Sequence, residues 1–255
     1  MEKKFGFYPY QKTFIVADIE IKPLDDFGDH VGHVLSQDRI YDGWYYPPVI
    51  RHIQPRNSLL APLKPSTVPE IPTDIFWLPP THILRHDHAA SAEHADFLVV
   101  CLGLLVGLRL MPEPWGHFYR TPVDEHKLAD LVVTRADVER CLPLFNSFYL
   151  SASLELRSWS WSAINTFQLA RCYNHQFEEF FYHYVTLDTV FRILRDTGRI
   201  GGRRIKHGER PKAICDHVGI PIPDWAVTDP SGNCHLSRTL SFRPNRGRPT
   251  WLWRH

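Results

Sequence analysis

The sequence lacks the features of disulfide-bonded, zinc-binding and membrane-spanning proteins. Its five cysteines are an odd number, lie far apart and include no CxxC pair, which argues against a disulfide framework and a cysteine zinc site. The longest apolar run, Phe97 to Leu108, has only twelve residues and is too short to cross a bilayer. The first residues lack the apolar run of a signal peptide. We therefore expect a cytoplasmic protein that does not bind a membrane.

The chain also has little net charge and lacks familiar catalytic motifs. The formal net charge of the 255 residues is only +1, so overall charge does not favour nucleic acid as a partner. The chain has no Gly-rich phosphate loop, no GxSxG elbow and no convincing pair of carboxylates. Acidic residues end at Asp229, and a basic tail follows that includes Arg238, Arg243, Arg246 and Arg248. This tail would contact RNA phosphates; the alternative is a cationic end without ordered structure.

The remaining pattern predicts an α+β protein in three parts. With 44% hydrophobic and 13% aromatic residues, the chain can bury a core. Residues 1–85 are rich in short β-type runs and prolines, and we expect a small β-rich domain there. Residues 86–225 show helical periodicity and predict an all-helical bundle. Residues 226–255 have no sustained period, and we expect an irregular Arg-rich tail.

Particular elements follow from local patterns. Residues 13–21 alternate and predict one half-buried strand, and two runs broken by Pro-Pro, 43–50 and 75–84, predict strand ends or edges. The nearly all-apolar run from Phe97 predicts a helix in the centre of a domain. Residues 136–150 and 209–219 predict two further helices, and Ser162 is a plausible N-cap for a helix between them.

The stretch from Asn174 to Thr197 predicts the helix around which the bundle is organised. One side of this helix carries an apolar, mostly aromatic stripe, for which we expect burial by other helices. The stripe comprises Tyr173, Phe177, Phe180, Tyr184, Leu187, Phe191 and Leu194. Asp188 lies beside it and needs a partner, because an unpaired buried carboxylate is costly. The structural interpretation pairs it with Arg192, and the functional interpretation places it in a polar site between helices.

Two further groups of residues suggest chemistry. His82, His86 and His88 would share a metal ion only if His82 and His86 lay one turn apart on a helix; the region resembles a loop and lacks a metal-binding motif, so we expect no metal and no cofactor. Arg157 and Trp159 could bind RNA by stacking on bases. The alternative for these two is packing on an aromatic core.

A series of marks between Ala95 and Trp225 resembles the HEPN family, in particular its ApeA-like branch. In order, these are the apolar helix from Phe97, WGHFYRTP, FEEFFYHYVTLDTVFRIL, HGER with His207 and Arg210, and VGIPIPDWA. The resemblance implies a helical bundle, a homodimer and metal-independent RNA cleavage, often in antiviral defence. In that family an arginine holds the scissile phosphate, and a histidine separated from it by four to six intervening residues moves the proton.

The resemblance gives Arg238 the place of the family's arginine, but no histidine follows it at the required interval. Arg210 and His217 have a suitable spacing and precede the expected place. Asp188 would be a structural or supporting acid. The resemblance therefore implies an HEPN-like endoribonuclease or a degenerate relative. The alternative is a non-catalytic binding or regulatory module that dimerises through its helical bundle.

Overall fold

The computed structural model describes residues 1–46, 78–113, 120–124, 134–173, 175–201 and 205–222. It has the α+β architecture expected from the sequence. The strands within these ranges are β1 (Glu2–Gly6), β2 (Phe14–Val16), β3 (Ile19–Pro23), β4 (Ile40–Tyr41), β5 (Trp44–Tyr45), β6 (His82–His86), β7 (Met111–Pro112) and β8 (Thr121–Pro122). The helices are α1 (Phe27–Leu35), α2 (Ala92–Val106), α3 (Arg135–Ser151), α4 (Leu154–Cys172), α5 (Gln176–Asp196) and α6 (Arg210–Val218). The chain divides into two compact units, Met1–Thr186 and Leu187–His255.

The larger sheet has the strand order β2-β3-β6-β1-β7, and every neighbouring pair is antiparallel. A smaller sheet has the order β4-β5-β8. The prediction of one strand over residues 13–21 was wrong, because β2 and β3 form a hairpin that turns at Ala17 and Asp18. Ala17 adopts a positive φ of 53°. The turn contains no glycine or proline, so no typical turn residue interrupts the alternating pattern and marks the hairpin in the sequence.

Helix α2 lies in the core of the first unit, as its apolar sequence predicted. Ser91 caps its first turn, and Gly107 ends it with a left-handed φ of 72°. The core joins residues of the sheet, Phe5, Ile21 and Leu84, to residues of α2 and α3, Leu98, Leu102 and Leu142. The sheet and these helices therefore share one core, so the β-rich region before residue 85 and the first helices after it do not have separate cores. In the described part of the chain, no helix is both long and apolar enough to span a bilayer.

Helices α3 and α4 follow each other closely. Thr134 and Asp137 form a reciprocal capping box at the start of α3. Ser153 caps α4, since its side chain accepts a hydrogen bond from the N–H of Leu156 at 3.2 Å. The prediction that Ser162 caps this helix was wrong, because Ser162 lies in its middle. Ser153 lies nine residues earlier in the sequence, before a first turn in which apolar and polar residues alternate (LELR), and this alternation hides the helical period.

Helix α5 confirms the predicted helix, but its aromatic stripe is not buried as expected. Phe177 is 60% exposed, Phe180 43% and Tyr184 43%, and Phe181 beside the stripe is 50% exposed. Phe191 alone in α5 is fully buried. The periodicity thus gave the correct helix, whereas it did not reveal that these aromatic side chains are exposed.

The second unit has its own small apolar cluster. Phe191, Ile200 and Ile214 are buried there. After α5, Gly198 adopts a left-handed φ of 69°, and the N–H of Arg199 donates to the carbonyl of Leu194 at 2.8 Å. Helix α6 has Pro211 in its first turn and ends at Gly219, as the sequence predicted.

Candidate functional site

A polar cluster in the second unit joins α5 to the start of α6. A short 3₁₀ turn, His207–Glu209, leads into α6. The N–H of Lys206 donates to Oε2 of Glu209 at 3.2 Å, which fixes this turn. His207 and Arg210 are three residues apart, and both lie against Asp188 of α5. We call Asp188, His207 and Arg210 the Asp188 cluster.

The guanidinium of Arg210 and the imidazole of His207 lie against the same carboxylate oxygen. Nη1 of Arg210 donates a hydrogen bond to Oδ1 of Asp188, and Nδ1 of His207 lies 3.7 Å from that oxygen. The Arg210 guanidinium also lies 5.0 Å from the ring centroid of Phe191. The side chains become more exposed from Arg210 at 20% to Asp188 at 41% and His207 at 65%. The cluster therefore holds an anchored guanidinium beside an imidazole that solvent reaches.

The partner of Asp188 differs from the structural interpretation of the sequence. Arg192 does not pair with Asp188; its Nε lies 3.6 Å from Oδ2 of Asp196, one turn further along α5. Asp188 takes Arg210 instead, a residue 22 positions away. The intrahelical spacing suits Arg192 for either carboxylate, so local spacing alone does not decide between them.

The structure brings together only part of the predicted site. His217 is exposed in the last turn of α6, seven residues and roughly 10 Å along the helix from Arg210. Within the described residues, the histidine that meets Asp188 beside Arg210 is His207, from the HGER mark. Arg238, Arg243, Arg246 and Arg248 lie outside the described residues.

The two predicted RNA-binding residues on α4 belong to the first unit. The Arg157 guanidinium lies 4.7 Å from the ring centroid of the buried Tyr149. Nε1 of Trp159 donates to Oε1 of Glu155 at 3.4 Å. The Arg157 contact agrees with the packing alternative, whereas the Trp159 hydrogen bond joins it to an exposed residue of its own helix and does not distinguish the two interpretations.

The histidines near residue 86 have structural surroundings. His82 and His86 lie on the strand β6 rather than on a helix, and four residues of strand separate them by about 13 Å. They are therefore too far apart to ligate one ion, and His88 is exposed in the following turn. Among the described residues, no group of histidine, cysteine and acidic side chains has a geometry for metal binding.

Burial sets the protonation of these histidines. His82 lies against Phe5, Tyr8 and Phe27, and burial lowers its pKa to about 4. His94 stacks on Tyr149 with ring centroids 4.3 Å apart, and burial lowers its pKa as well, with the neighbouring charge of His86 as a smaller cause. We conclude that these residues act as neutral core groups rather than as surface ligands.

His86 connects the sheet to α3. Its Nδ1 lies 3.0 Å from Oδ2 of Asp18, and its Nε2 lies 3.1 Å from Oδ1 of Asn146. The imidazole is only 1% exposed. The imidazole therefore lies between the β2–β3 turn and α3, close to a carboxylate on one side and to an amide oxygen on the other.

No protein-family model, curated protein or solved structure gives a significant match to this chain.

Proposed function

We propose that this chain is an HEPN-like, RNA-directed protein that cleaves RNA without a metal ion at the Asp188 cluster. The observation that carries this proposal is one carboxylate oxygen shared by an exposed imidazole and an anchored guanidinium. Phosphodiester cleavage through the 2′-hydroxyl needs a group that accepts a proton and a cation that stabilises the phosphate. His207 and Arg210 supply these two groups.

Each residue has a distinct part in the proposed reaction. Asp188 faces Nδ1 of His207, so Nε2 is the ring nitrogen that would accept the proton of the 2′-hydroxyl. The 2′-oxygen then attacks phosphorus and forms a cyclic phosphate, while the 5′-oxygen leaves and takes a proton from water. Arg210 has five N–H donors, and those not used by Asp188 would stabilise the charge on the phosphate oxygens.

The test is cleavage of end-labelled single-stranded RNA by purified protein in excess chelator. We expect a 2′,3′-cyclic phosphate product. His207→Gln should slow cleavage by about 100-fold or more, the range for a general base. Arg210→Lys keeps the charge but loses the planar donor set, and it should slow cleavage without unfolding α6.

Two further variants sharpen the result. Lys212→Gln is a matched control on α6, because Lys212 pairs with Asp216 at 2.6 Å on an exposed face, and it should leave the rate unchanged. His217→Gln separates the Arg210–His217 spacing from the Asp188 cluster. Cleavage that survives His207→Gln, or a folded wild type that cuts no RNA in chelator, contradicts the proposal.

A second candidate is the regulatory module that dimerises through its helices, and the exposed aromatic face of α5 favours it. Phe177, Phe180 and Phe181 form an exposed apolar surface. Contact between such a surface and water is unfavourable, and surfaces of this kind often bind another protein. The first turn of α5 contains Glu178 and Glu179, and its last turn is net basic, because Arg192 and Arg195 share one carboxylate, that of Asp196. Two copies of α5 packed antiparallel would place these opposite charges against each other, so we assign the face to a second copy of the chain.

Sedimentation velocity tests this assignment. The wild type should sediment as a dimer, and Phe180→Glu with Phe181→Glu should sediment as a folded monomer. Leu35→Glu on α1, where the leucine is 46% exposed, is the control for adding a charge to an exposed apolar residue elsewhere. A monomeric wild type, or a dimer that survives the paired change, contradicts this candidate.

A further inference from the structure

Two tyrosines at the junction of α4 and α5 lie face to face. Tyr173 follows the last turn of α4, and Tyr182 lies in the second turn of α5. Their ring centroids are 4.9 Å apart with an angle of only 13° between the planes, and the hydroxyl oxygens are 3.3 Å apart. The rings are therefore stacked with their oxygens at the same end. We call these residues the tyrosine pair.

The packing of α4 against α5 fixes the tyrosine pair. The Thr166 hydroxyl of α4 lies 2.9 Å from the Thr186 hydroxyl of α5. Along the same two helices, the rings of Phe167 and His183 have centroids 5.7 Å apart. The two tyrosines are only nine residues apart in the sequence, so the contacts in neighbouring turns leave the stack little freedom to separate.

Solvent reaches the tyrosine pair, since Tyr173 and Tyr182 are both partly exposed. Tyr8 and Tyr10 give a contrast within the same unit. Their rings meet edge to face at 80° with centroids 5.7 Å apart, and Tyr8 is only 5% exposed. An oxidant in solution can therefore reach two overlapping rings at the tyrosine pair, whereas Tyr8 is shielded and does not stack on Tyr10.

The stack has the geometry that radical coupling needs. A tyrosine that loses one electron and its hydroxyl proton becomes a phenoxyl radical, whose unpaired electron is shared between the oxygen and the ortho and para carbons. The new bond forms at an ortho carbon, because the rest of the side chain occupies the para carbon. The two hydroxyls of the tyrosine pair are adjacent, so ortho carbons of one ring lie near those of the other. Two radicals formed here are already in contact and do not need to diffuse together.

We propose that the tyrosine pair is a site of oxidative cross-linking, at which a one-electron oxidant of the haem peroxidase class joins Tyr173 to Tyr182. Each ring gives up one electron and its hydroxyl proton, and a carbon–carbon bond forms between the two ortho carbons. The hydrogens on these carbons then move to the oxygens and restore both phenols. The protein thus loses two electrons and two protons in total, and the peroxidase passes them to hydrogen peroxide, which becomes two molecules of water.

The product joins the end of α4 to α5 covalently. A cross-link stabilises a fold mainly by restricting the unfolded chain, and the effect is smaller for short loops. The two tyrosines are nine residues apart, so we expect a modest upward shift in the thermal unfolding temperature of the cross-linked chain. The Asp188 cluster takes no part in these steps, so a protein that cleaves no RNA should still cross-link.

Peptide mapping after treatment with hydrogen peroxide and a haem peroxidase tests the proposal. Oxidant is added until Tyr41, which is 76% exposed, has reacted, and chains of monomer mass are isolated on a denaturing gel. Trypsin releases residues 172–192 as one peptide, and a glutamyl endopeptidase cuts this peptide at Glu178 and Glu179. We expect the two fragments to stay joined in the wild type, with a mass two hydrogen atoms below the sum of the separate fragments.

Three variants locate the bond. Tyr173→Phe and Tyr182→Phe should each lose the joined fragments, because phenylalanine keeps the ring but has no hydroxyl to oxidise. Tyr184→Phe is the matched control, since Tyr184 belongs to the same peptide and is 43% exposed, and this variant should keep the link. Separate fragments in wild-type protein whose Tyr41 has reacted overturn the proposal, and so does a link that survives Tyr182→Phe.

Discussion

Asp188 and Arg210 are 22 residues apart in the sequence, and Nη1 of the arginine donates a hydrogen bond to Oδ1 of the aspartate. This contact joins α5 to the first turn of α6. Arg210 also covers the ring of Phe191, so one side chain contributes to both the ion pair and the apolar cluster of the second unit.

Removing this side chain should loosen α6. The Asp188 carboxylate is 41% exposed, so solvent screens the pair and we expect a local stability loss of about 1 kcal/mol in Arg210→Ala. Amide hydrogen exchange in α6 should then become about fivefold faster. Arg192→Ala is the control, because Arg192 and Asp196 form an exposed pair within α5. Equal exchange in both variants would contradict the assigned role.

Acid should destabilise the first unit through His82. In the unfolded chain this histidine titrates near the ordinary pKa of 6.5, whereas the buried residue has a pKa of about 4. Between these values the unfolded state binds a proton that the folded state does not, so the free energy of unfolding falls as the pH drops from about 6.5 to 4. The difference corresponds to roughly 3 kcal/mol at the lower end.

Urea unfolding at pH 7 and pH 4.5 checks this pH dependence. His82→Leu should reduce the difference between the two pH values, since leucine does not titrate. His88→Leu changes an exposed histidine and should keep the difference. A wild type whose stability is the same at both pH values would show that His82 does not control it.

Gly103 in α2 should not tolerate a methyl group. A Cβ there would lie 2.6 Å from the carbonyl oxygen of Leu108 and 2.8 Å from Nε2 of the buried Gln168. Gly103→Ala should therefore lower the free energy of unfolding by about 1–3 kcal/mol, the range for overpacking. In α1, Gly32 has nothing within 4 Å of such a Cβ, and Gly32→Ala should be neutral or stabilising. Thermal unfolding of both variants gives the comparison.

The cysteines should differ in reactivity. Burial raises the pKa of Cys172 to about 11 and raises that of the Cys101 thiol further, so neither forms a thiolate readily at neutral pH. Cys141 and Cys215 are partly exposed, and iodoacetamide should label them before it labels Cys101 and Cys172. Peptide mapping by mass spectrometry over time measures the order. Early labelling of Cys101 in native protein would contradict the buried position.

Local patterns were sufficient for several of the helices, although they did not predict α1 within the region expected to be β-rich. The apolar run at Phe97, the aromatic spacing of α5 and the pair of Pro211 and Gly219 each reflect rules within one element, and the structure confirms all three elements. The cap at Ser153 was missed, because α4 begins with residues that carry no clear period. The turn at Ala17 was missed, because alanine is not a residue that sequence rules associate with positive φ.

Contacts between different elements could not be predicted from those local patterns. The exposure of Phe177 depends on which other residues reach it, and helical spacing does not contain that information. The pairing of Asp188 with Arg210 depends on the chain reversal after Gly198.

The order of strands in the larger sheet has a consequence for synthesis on the ribosome. The central strand β6 pairs with both β3 and β1, which do not pair with each other. Arg85 bonds Glu2 across a separation of 83 residues, so the sheet has a high contact order. The β2–β3 hairpin can form early, whereas β1 has no neighbour in this sheet until β6 has left the exit tunnel. A nascent chain ending before β6 would therefore present unpaired strand edges to chaperones and to other chains.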